Sequence, residues 1–266
     1  MKIYDCFGFN DENHLLEIRL NELDKHVDYF VIVEFGETHQ GNKKTQSIDK
    51  DLIDKYKNKI RYYYVDKFEN ITEPHGRDQY QRNYLSNGLY DADNNDLILL
   101  SDIDEIPDFN KIEINQVGNK IFAFSQVHSM YKLNLCLKNK WIGSKICKFK
   151  NLKSLQWLRS LRTKRYSLLR IDKLFSPRYS RNIKIIENGG WHFGWLRNSE
   201  SIIKKLESYA HSEHNTDYFK NKNLLDQCIK EKKNFFNKNE TLRIAPINEM
   251  PQYIQKNFEK YKDWLA

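Results

Sequence analysis

The chain lacks the features that mark membrane-spanning and secreted proteins. No apolar run approaches the roughly 20 residues that a membrane-spanning helix needs, and no signal peptide precedes the first strand-like residues. The four cysteines form no C-x-x-C pair, so we expect buried thiols in a reducing compartment; they are Cys6, Cys136, Cys147 and Cys228. Together these absences predict a cytoplasmic protein.

Several enzyme signatures are also missing. The sequence contains no G-x-x-x-x-G-K-[ST], no G-x-G-x-x-G, no H-E-x-x-H and no G-x-S-x-G. These patterns belong to phosphate loops, dinucleotide sites, zinc-peptidase helices and nucleophilic serines. Kinase, dehydrogenase, zinc-peptidase and serine-hydrolase functions therefore have no support. No internal repeat or low-complexity linker divides the 266 residues, which predicts a single domain.

The composition is that of a folded, basic chain. Hydrophobic residues make up 39% of the sequence, with 15 Phe and 16 Tyr, which provides enough apolar volume for a core. The net charge is +8, and basic residues concentrate between positions 159 and 181, where Asp172 is the one acid. We favour a solvated loop for this stretch. The alternatives are a phosphorylated ligand, nucleic acid, or a peripheral contact with the anionic inner face of a membrane.

Strand and helix patterns alternate along the first hundred residues, which is typical of an α/β sheet with parallel strands. The predicted elements there are strands over 29–33, 60–65 and 96–101 and helices over 15–23 and 77–90. After Pro107 the pattern changes to a mixed or antiparallel half followed by helices. In that half we predict strands over 121–127, 130–137 and 145–149 and helices over 202–210, 224–232 and 253–265.

Acidic residues follow three of the predicted strands: Glu34, Asp66, and the pair Asp102 and Asp104. Ligands of α/β sheets bind beyond the carboxyl ends of the strands, so we expect these acids to border one site. In Asp102-Ile103-Asp104 both carboxylates share one side of an extended backbone. They can hold a hard cation such as Mg²⁺ or Mn²⁺ together with phosphate oxygens. The alternative is a solvated acidic turn, and the spacing alone does not decide between the two.

An aromatic cluster lies in Gly189-Gly190-Trp191-His192-Phe193-Gly194-Trp195. Paired glycines let the backbone approach a ligand closely, and an indole can stack on the apolar face of a sugar ring. The alternative is a core strand with two packed indoles, in which His192 is a structural hydrogen-bond donor.

Three polar segments have two interpretations each. Glu200 opens a helix, where it either favours the helix dipole or acts as a general base. The sequence His-Ser-Glu-His at 211–214 is either a polar helix cap or a metal or phosphate contact. Gln81, Arg82 and Asn83 either bind nucleotide oxygens or form a polar helix face.

Taken together, these segments resemble glycosyltransferase family 17, the family of the bisecting β-1,4-mannosyl-glycoprotein N-acetylglucosaminyltransferases. The matching segments follow the family order over nearly the whole chain, at 4–7, 17–23, 27–34, 81–83, 101–107, 189–193 and 210–213. Gly8 departs from the pattern, since a proline is expected after Cys6-Phe7. The resemblance implies a GT-A-type fold with a mixed, mainly parallel central sheet and C-terminal helices. It also implies a UDP-GlcNAc donor, Mn²⁺ or Mg²⁺, and inversion at the anomeric carbon.

The resemblance further implies roles for individual residues. The metal would be held by Asp102, Asp104 and His211, and the donor would contact Glu34, Asp66, Gln81, Arg82, Asn83 and Asp102. The general base would be Glu200, with Glu213 and His192 in reserve, and the acceptor would contact Trp191, Trp195 and Glu105. Residues 1–107 would form the donor half, 108–215 the acceptor half and 216–266 the C-terminal helices.

We expect a glycan or glycolipid acceptor. Because the chain lacks the membrane anchor and stem of the animal enzymes, a microbial or viral surface glycan is the more natural choice. Two other classes stay open. One is a catalytically silent nucleotide-sugar or glycan-binding protein on the same fold. The other is a nucleic-acid binder that uses residues 159–181, but it leaves the D-x-D and Gly-Gly-Trp-His clusters unexplained, so we expect no nucleic-acid partner.

Overall fold

The structure is a computed structural model that describes residues 1–164, 176–196, 198–208 and 216–266. Its strands are β1 (Ile3–Phe9), β2 (Tyr29–Phe35), β3 (Ile60–Val65), β4 (Leu97–Leu100), β5 (Glu105–Pro107), β6 (Ile121–Tyr131), β7 (Leu135–Cys136), β8 (Trp141–Lys148), β9 (Ile183–Ile186), β10 (Gly190–Leu196) and β11 (Arg243–Ile244). Its α-helices are α1 (Asn13–Leu23), α2 (Lys50–Lys55), α3 (Pro74–Tyr84), α4 (Leu155–Ser160), α5 (Ser199–Ser208), α6 (Lys222–Glu231), α7 (Gln252–Lys256) and α8 (Phe258–Tyr261). Among helices in these ranges, none combines the length and apolar character needed to cross a bilayer.

One mixed sheet connects these strands, with the order β11-β7-β6-β8-β4-β1-β2-β3 along its main path. The strands β4, β1, β2 and β3 are parallel neighbours, and β8 joins β4 in the antiparallel direction. At the other side, β9 and β10 run parallel to β6, and β5 pairs antiparallel with β10. The predicted α/β fold with a mixed, mainly parallel sheet is confirmed. The carboxyl ends of β1, β2 and β4 meet at one edge.

The parallel strands are covered on both faces, which explains why their sequences are continuous apolar runs. In β4, Leu97 and Leu99 belong to one buried cluster, which includes the apolar face of α1. Ile98 and Leu100 belong to a second cluster, as expected for side chains that alternate between the faces of a sheet. A third cluster packs α5 and α6 against the end of β6. The loop after β4 therefore starts from a rigid, doubly covered strand.

Three predicted elements end earlier than the sequence patterns suggest. The helix predicted over 77–90 ends at Tyr84 and continues as a 3₁₀ turn, Leu85–Leu89. The strand predicted over 130–137 is interrupted, because β6 ends at Tyr131, where φ is +67°. The helix predicted over 253–265 divides at Asn257 into α7 and α8. β5, β9 and β11 are too short to give a periodic signal.

Candidate active site

Asp102, the first acid of the D-x-D sequence, lies just beyond β4 and is held by two arginines. Arg159, in the last turn of α4, donates from Nη2 to Asp102 Oδ2 at 2.6 Å, and Arg82 Nη2 on α3 lies 3.5 Å from Oδ1. Burial alone would raise the pKa of Asp102, but the two guanidinium groups hold that pKa below its ordinary value. Asp102 is therefore ionised at neutral pH, and the protein itself balances its charge.

Glu105 holds Arg159 in place through a buried ion pair. It is fully buried, and its carboxylate accepts from Arg159 Nη1 at 2.8 Å and from Nη2 at 2.9 Å. Trp141 Nε1 donates to the same carboxylate at 2.6 Å. A Cβ at Gly143 would lie 1.9 Å from Glu105 Oε1, so only glycine leaves room for the carboxylate there. Both oxygens are occupied, and this geometry does not fit the acceptor contact predicted for Glu105.

Asp104, the second acid, meets groups from α5 and β10. Lys205 Nζ on α5 donates to Asp104 Oδ2 at 3.1 Å and to Glu12 Oε1 at 2.9 Å. His192 Nε2 on β10 lies 3.6 Å from Asp104 Oδ1. Burial alone would raise the pKa of Asp104, but Lys205 and His192 pull it well below its ordinary value. His192, a reserve base in the sequence-based prediction, thus lies beside the D-x-D sequence.

The His192 ring is packed between other rings. Its centroid lies 4.4 Å from that of His128 and 4.8 Å from that of Trp141. Burial, with a further contribution from His192, lowers the pKa of His128 to about 3, so His128 is neutral. Among the described residues, His192 Nδ1 is buried and has no hydrogen-bond partner. Packing thus fixes the plane of the ring while Nε2 faces Asp104.

A buried ion pair fixes the backbone of the loop between β4 and β5, which carries Asp102 and Asp104 and is called the D-x-D loop below. Arg19 and Asp5 are both fully buried, with Nη2 to Oδ1 at 2.5 Å and Nε to Oδ2 at 2.8 Å. Arg19 Nη1 also donates to the carbonyl oxygens of Asp102 at 3.2 Å and Glu105 at 2.6 Å. No role at the site was predicted for Arg19 from the sequence. The available signal was an arginine among the leucines on the apolar face of α1.

A pocket opens at the carboxyl ends of β1 and β2, lined by Phe9, Asn10, Phe35, Glu37, Thr38, His39, Lys44 and Gln81. Gln81 Nε2 donates to the Val33 carbonyl at 3.1 Å, and its Oε1 lies 2.6 Å from His39 Nε2. Because a carbonyl can only accept, the Gln81 amide is oriented, and His39 Nε2 must carry the proton. Burial lowers the pKa of His39. The ring is therefore neutral, and Nδ1 has an acceptor lone pair.

A family match covers all the residues of this site. Residues 1–265 match the model of glycosyltransferase family 17. The chain belongs to glycosyltransferase family 17. No curated protein matches this family 17 chain.

Three solved structures show a distant resemblance to the family 17 chain. A glycosyltransferase involved in the glycosylation of the major capsid of PBCV-1 is 11% identical, with a TM-score of 0.36, and the match covers 70% of this chain and 82% of that one. HddC from Yersinia pseudotuberculosis is 10% identical, with a TM-score of 0.34 and coverage of 71% and 92%. The inositol-1-phosphate CTP transferase from T. maritima is 13% identical, with a TM-score of 0.35 and coverage of 79% and 98%. The family assignment rests on the sequence match and not on these neighbours.

Glu34 of the family 17 chain does not face the pocket as a free carboxylate. It is fully buried within β2 and accepts from Lys44 Nζ and from Tyr62 Oη, each at 2.7 Å. The Ser47 amide and hydroxyl donate to it at 2.9 Å. Glu34 therefore anchors the loop between β2 and α2, part of which lines the pocket. Its position does not fit the direct donor contact predicted for it.

Of the other predicted donor residues, three lie together at the site, whereas Asp66 and Asn83 do not join them. Gln81, Arg82 and Asp102 lie together, because α3 carries both Gln81 at the pocket and Arg82 beside Asp102. Asp66 is exposed beyond β3. Asn83 Oδ1 accepts from the backbone N–H of Gln156 at 3.0 Å, so it connects α3 to α4.

The predicted acceptor tryptophans are packed against protein. Trp191 belongs to the first core cluster, with 8% of its surface exposed, and its Nε1 donates to the Glu249 carbonyl at 2.7 Å. Trp195 packs against Phe235 and Phe236 in the third cluster. The core-strand alternative is therefore right for Trp191. The close backbone approach expected near Gly190 is to β5, since a Cβ there would lie 2.2 Å from the Ile106 carbonyl oxygen.

Of the predicted bases, His192 is the one within the described residues that lies beside the D-x-D sequence. Glu200 is half-exposed in the first turn of α5, and its Oε1 lies 2.5 Å from Lys222 Nζ on α6. Glu213 and the predicted metal ligand His211 lie outside the described residues, as do residues 165–175 of the basic stretch. Arg159, the first residue of that stretch, is not part of a solvated loop, because it forms the buried pair with Glu105.

The D-x-D loop fits a hard divalent cation as a pair of carboxylates rather than as a complete cage. Within the described ranges, no group of three or more His, Cys, Asp or Glu residues could hold a metal ion. Such cations are often bound by one or two carboxylates, and phosphates and waters complete the shell. Asp102 and Asp104 could supply those one or two carboxylates, at the place where Lys205 now meets Asp104.

Proposed function

We propose that this family 17 chain transfers a sugar from a nucleotide-sugar donor to a hydroxyl group of a glycan acceptor, such as a microbial or viral surface glycan. The observation that carries the proposal is the placement of Asp102 and Asp104 at the carboxyl edge of the parallel strands. There they lie next to Arg82 and Lys205, whose charges can bind a diphosphate. Helix α3 carries both Arg82 and Gln81, so it connects Asp102 to the pocket with Gln81 and His39.

We propose that His39 favours a uridine donor over a cytidine donor. His39 lines the pocket with a neutral ring whose Nδ1 can only accept a hydrogen bond. Uracil carries a proton at N3, whereas cytosine has an unprotonated acceptor at the same atom. UDP should therefore bind more tightly than CDP, and UDP-GlcNAc is the first donor to test. Equal binding of UDP and CDP in calorimetry would contradict this role of His39.

The proposed cofactor is Mn²⁺ or Mg²⁺, held by Asp104 with Asp102 beside it. When bound, such an ion neutralises the charge that develops on the leaving diphosphate. Arg82 and Lys205 can offset part of the same negative charge, because they lie at the loop where the diphosphate would bind.

Transfer is proposed as one in-line displacement with inversion. The bond between the anomeric carbon and the diphosphate oxygen breaks, and its electron pair stays on the diphosphate. The acceptor oxygen bonds to the same carbon and gives its proton to a general base. We assign that role to His192 Nε2, because among the predicted bases within the described residues it is the one beside the D-x-D sequence, 3.6 Å from Asp104 Oδ1. Glu200 is the alternative base, but its carboxylate is half-exposed and pairs with Lys222 on α6.

A donor screen tests the proposal. Release of UDP from a panel of UDP-sugars is measured with and without Mn²⁺, in the presence of pooled glycan acceptors. We expect the wild type to release UDP and Asp104→Asn to abolish that release. His192→Gln should lower the rate of release about 100-fold or more, whereas Glu200→Gln should lower it little. A large loss with Glu200→Gln and none with His192→Gln would reverse the assignment of the base. UDP binding without any turnover would instead indicate a nucleotide-sugar-binding protein.

A further inference from the structure

The two carboxylates of the D-x-D sequence have counter-ions of different kinds. Arg159 is shared between Asp102 and the fully buried Glu105. It cannot leave Asp102 without also disturbing a buried ion pair, which is costly. Lys205 contacts Asp104 through one hydrogen bond of 3.1 Å, and its side chain is 32% exposed. The counter-ion of Asp102 is therefore fixed, whereas that of Asp104 can move away.

Lys205 also has a partner that would hold it near the site. Its Nζ lies 2.9 Å from Glu12 Oε1, on the side of the loop that leads into α1. The lysine side chain has a flexible four-carbon stem and three donors. It can turn away from Asp104 while one donor stays on Glu12, so the lysine itself keeps an anionic partner, and a cation that takes its place would balance the charge of Asp104.

Lys205 and a divalent cation would compete for the same carboxylate. An ammonium group at Asp104 occupies an oxygen that the cation needs and repels the cation through its charge. A donor diphosphate changes this balance, because its oxygens offer Lys205 a new anionic partner at the same edge. Lys205 would then exchange one anion for another at little net cost.

We propose that Lys205 is a displaceable counter-ion that makes metal binding at Asp104 depend on the donor diphosphate. This inference rests on the proposed function. Without donor, Lys205 occupies Asp104 and the loop binds metal weakly. With donor, Lys205 turns to a phosphate oxygen and releases the carboxylate. Lys205 is thus a positioning residue that couples the two ligands, and the coupling is reciprocal.

The test measures Mn²⁺ binding to the full chain by electron paramagnetic resonance of free Mn²⁺, with and without saturating UDP, after subtraction of the Mn²⁺ that UDP binds in the absence of protein. For the wild type we expect UDP to tighten Mn²⁺ binding about 10-fold or more. Lys205→Met keeps the length of the stem and removes the charge. It should bind Mn²⁺ about 10-fold more tightly than the wild type without UDP. UDP should then tighten Mn²⁺ binding less than it does in the wild type, because only the contribution of the phosphate oxygens to the shell of the ion remains. The matched control is Lys204→Met, at the exposed neighbouring position on α5, which should behave as the wild type.

The expected gain of affinity cannot come from a damaged fold, which would weaken binding. If Lys205→Met binds Mn²⁺ no more tightly than the wild type while Asp104→Asn abolishes binding, the counter-ion role is overturned and the donor site stands. If Asp104→Asn changes neither Mn²⁺ nor UDP binding, the proposed donor site itself is wrong.

Discussion

At the scale of single residues, the site depends on charges that lie beneath its surface. Glu105 is fully buried, yet it holds Arg159, which in turn holds Asp102. Arg19 and Asp5 act in the same way on the backbone of the loop. A buried ion pair adds little stability compared with apolar residues of the same volume, but loss of one partner leaves an uncompensated charge. The loop geometry therefore depends on residues that need not touch a ligand.

Glu105→Gln should destabilise the protein by about 3 kcal/mol, because it removes one partner of a buried pair. The new amide would also place a donor group against Trp141 or Arg159, which are donors themselves. Unfolding in urea, followed by circular dichroism, measures the change. The matched control is Glu187→Gln, since that side chain is 68% exposed and lies 3.6 Å from Lys140; it should change stability little. Equal effects of the two substitutions would show that burial of the pair is unimportant.

At the scale of elements, β2 carries its own anchor for the loop that follows it. Glu34 lies inside the strand, and its carboxylate accepts from Lys44, Ser47 and Tyr62. Burial alone would raise the pKa of Glu34, but these donors, with Lys44 the strongest, lower it. The loop that reaches the pocket through His39 and Lys44 is thus tied to the sheet by one ionised group.

Glu34→Gln should lower the free energy of unfolding at pH 7 by about 2 kcal/mol. The folded-state pKa of Glu34 is depressed, so its contribution is present above the unfolded-state pKa of about 4.3 and is lost as the pH falls through the folded-state value. The wild type should therefore lose more stability than the variant when the pH is lowered below about 4.3. Urea titrations across that range measure the difference. A parallel decline of both proteins would rule out this anchor, and Asp66→Asn, at an exposed strand end, serves as the control.

The junction of β5 and β10 needs glycine at one position. Gly190 has φ of +128°, and a Cβ there would lie 2.2 Å from the Ile106 carbonyl oxygen. Gly190→Ala should therefore cost about 3 kcal/mol or more, from strain and displaced backbone together. The control is Gly118→Ala, where φ is +51° but the nearest atom would lie 3.8 Å away; it should cost about 1 kcal/mol. Thermal unfolding compares the two, and similar midpoints would contradict the steric argument.

The sequence predicted the secondary-structure elements better than the charged partners of the site residues, because elements depend on local patterns and ion pairs depend on the folded chain. Apolar runs are local, so β2, β3, β4 and the position of Asp102 beyond β4 could be read from them. The cations of the D-x-D sequence could not, because Arg159 lies 57 residues from Asp102 and Lys205 lies 101 residues from Asp104. Glu34 was predicted to contact the donor, but its carboxylate meets Lys44 and Ser47 of the following loop, 10 and 13 residues further along the chain. Only the folded arrangement decides which long-range partner such a charge meets.

At the scale of the whole molecule, the C-terminal helices close onto the first helix. Tyr253 Oη and Lys260 Nζ donate to Glu17 on α1 at 2.8 and 2.5 Å, and the Leu133 amide donates to the Trp264 carbonyl at 2.9 Å. Ile254 of α7 lies in the same buried cluster as the apolar face of α1. The beginning and the end of the chain therefore share one core, on which the D-x-D loop also rests.

Ile254→Ala should consequently destabilise the entire protein and not only its C-terminal segment. Ile254 is fully buried, and truncation of such a side chain costs about 2–5 kcal/mol. Ile247→Ala, at a side chain that is 37% exposed, should cost much less. Far-ultraviolet circular dichroism and the fluorescence of Trp141, near the D-x-D loop, should shift together to lower urea in the Ile254 variant, as one cooperative transition requires. Because other tryptophans contribute to the fluorescence, the test is made in a background where those four are replaced by phenylalanine and cooperative unfolding has been verified. If the Trp141 signal stays at the wild-type midpoint while circular dichroism shifts, the C-terminal helices form a separate folding unit.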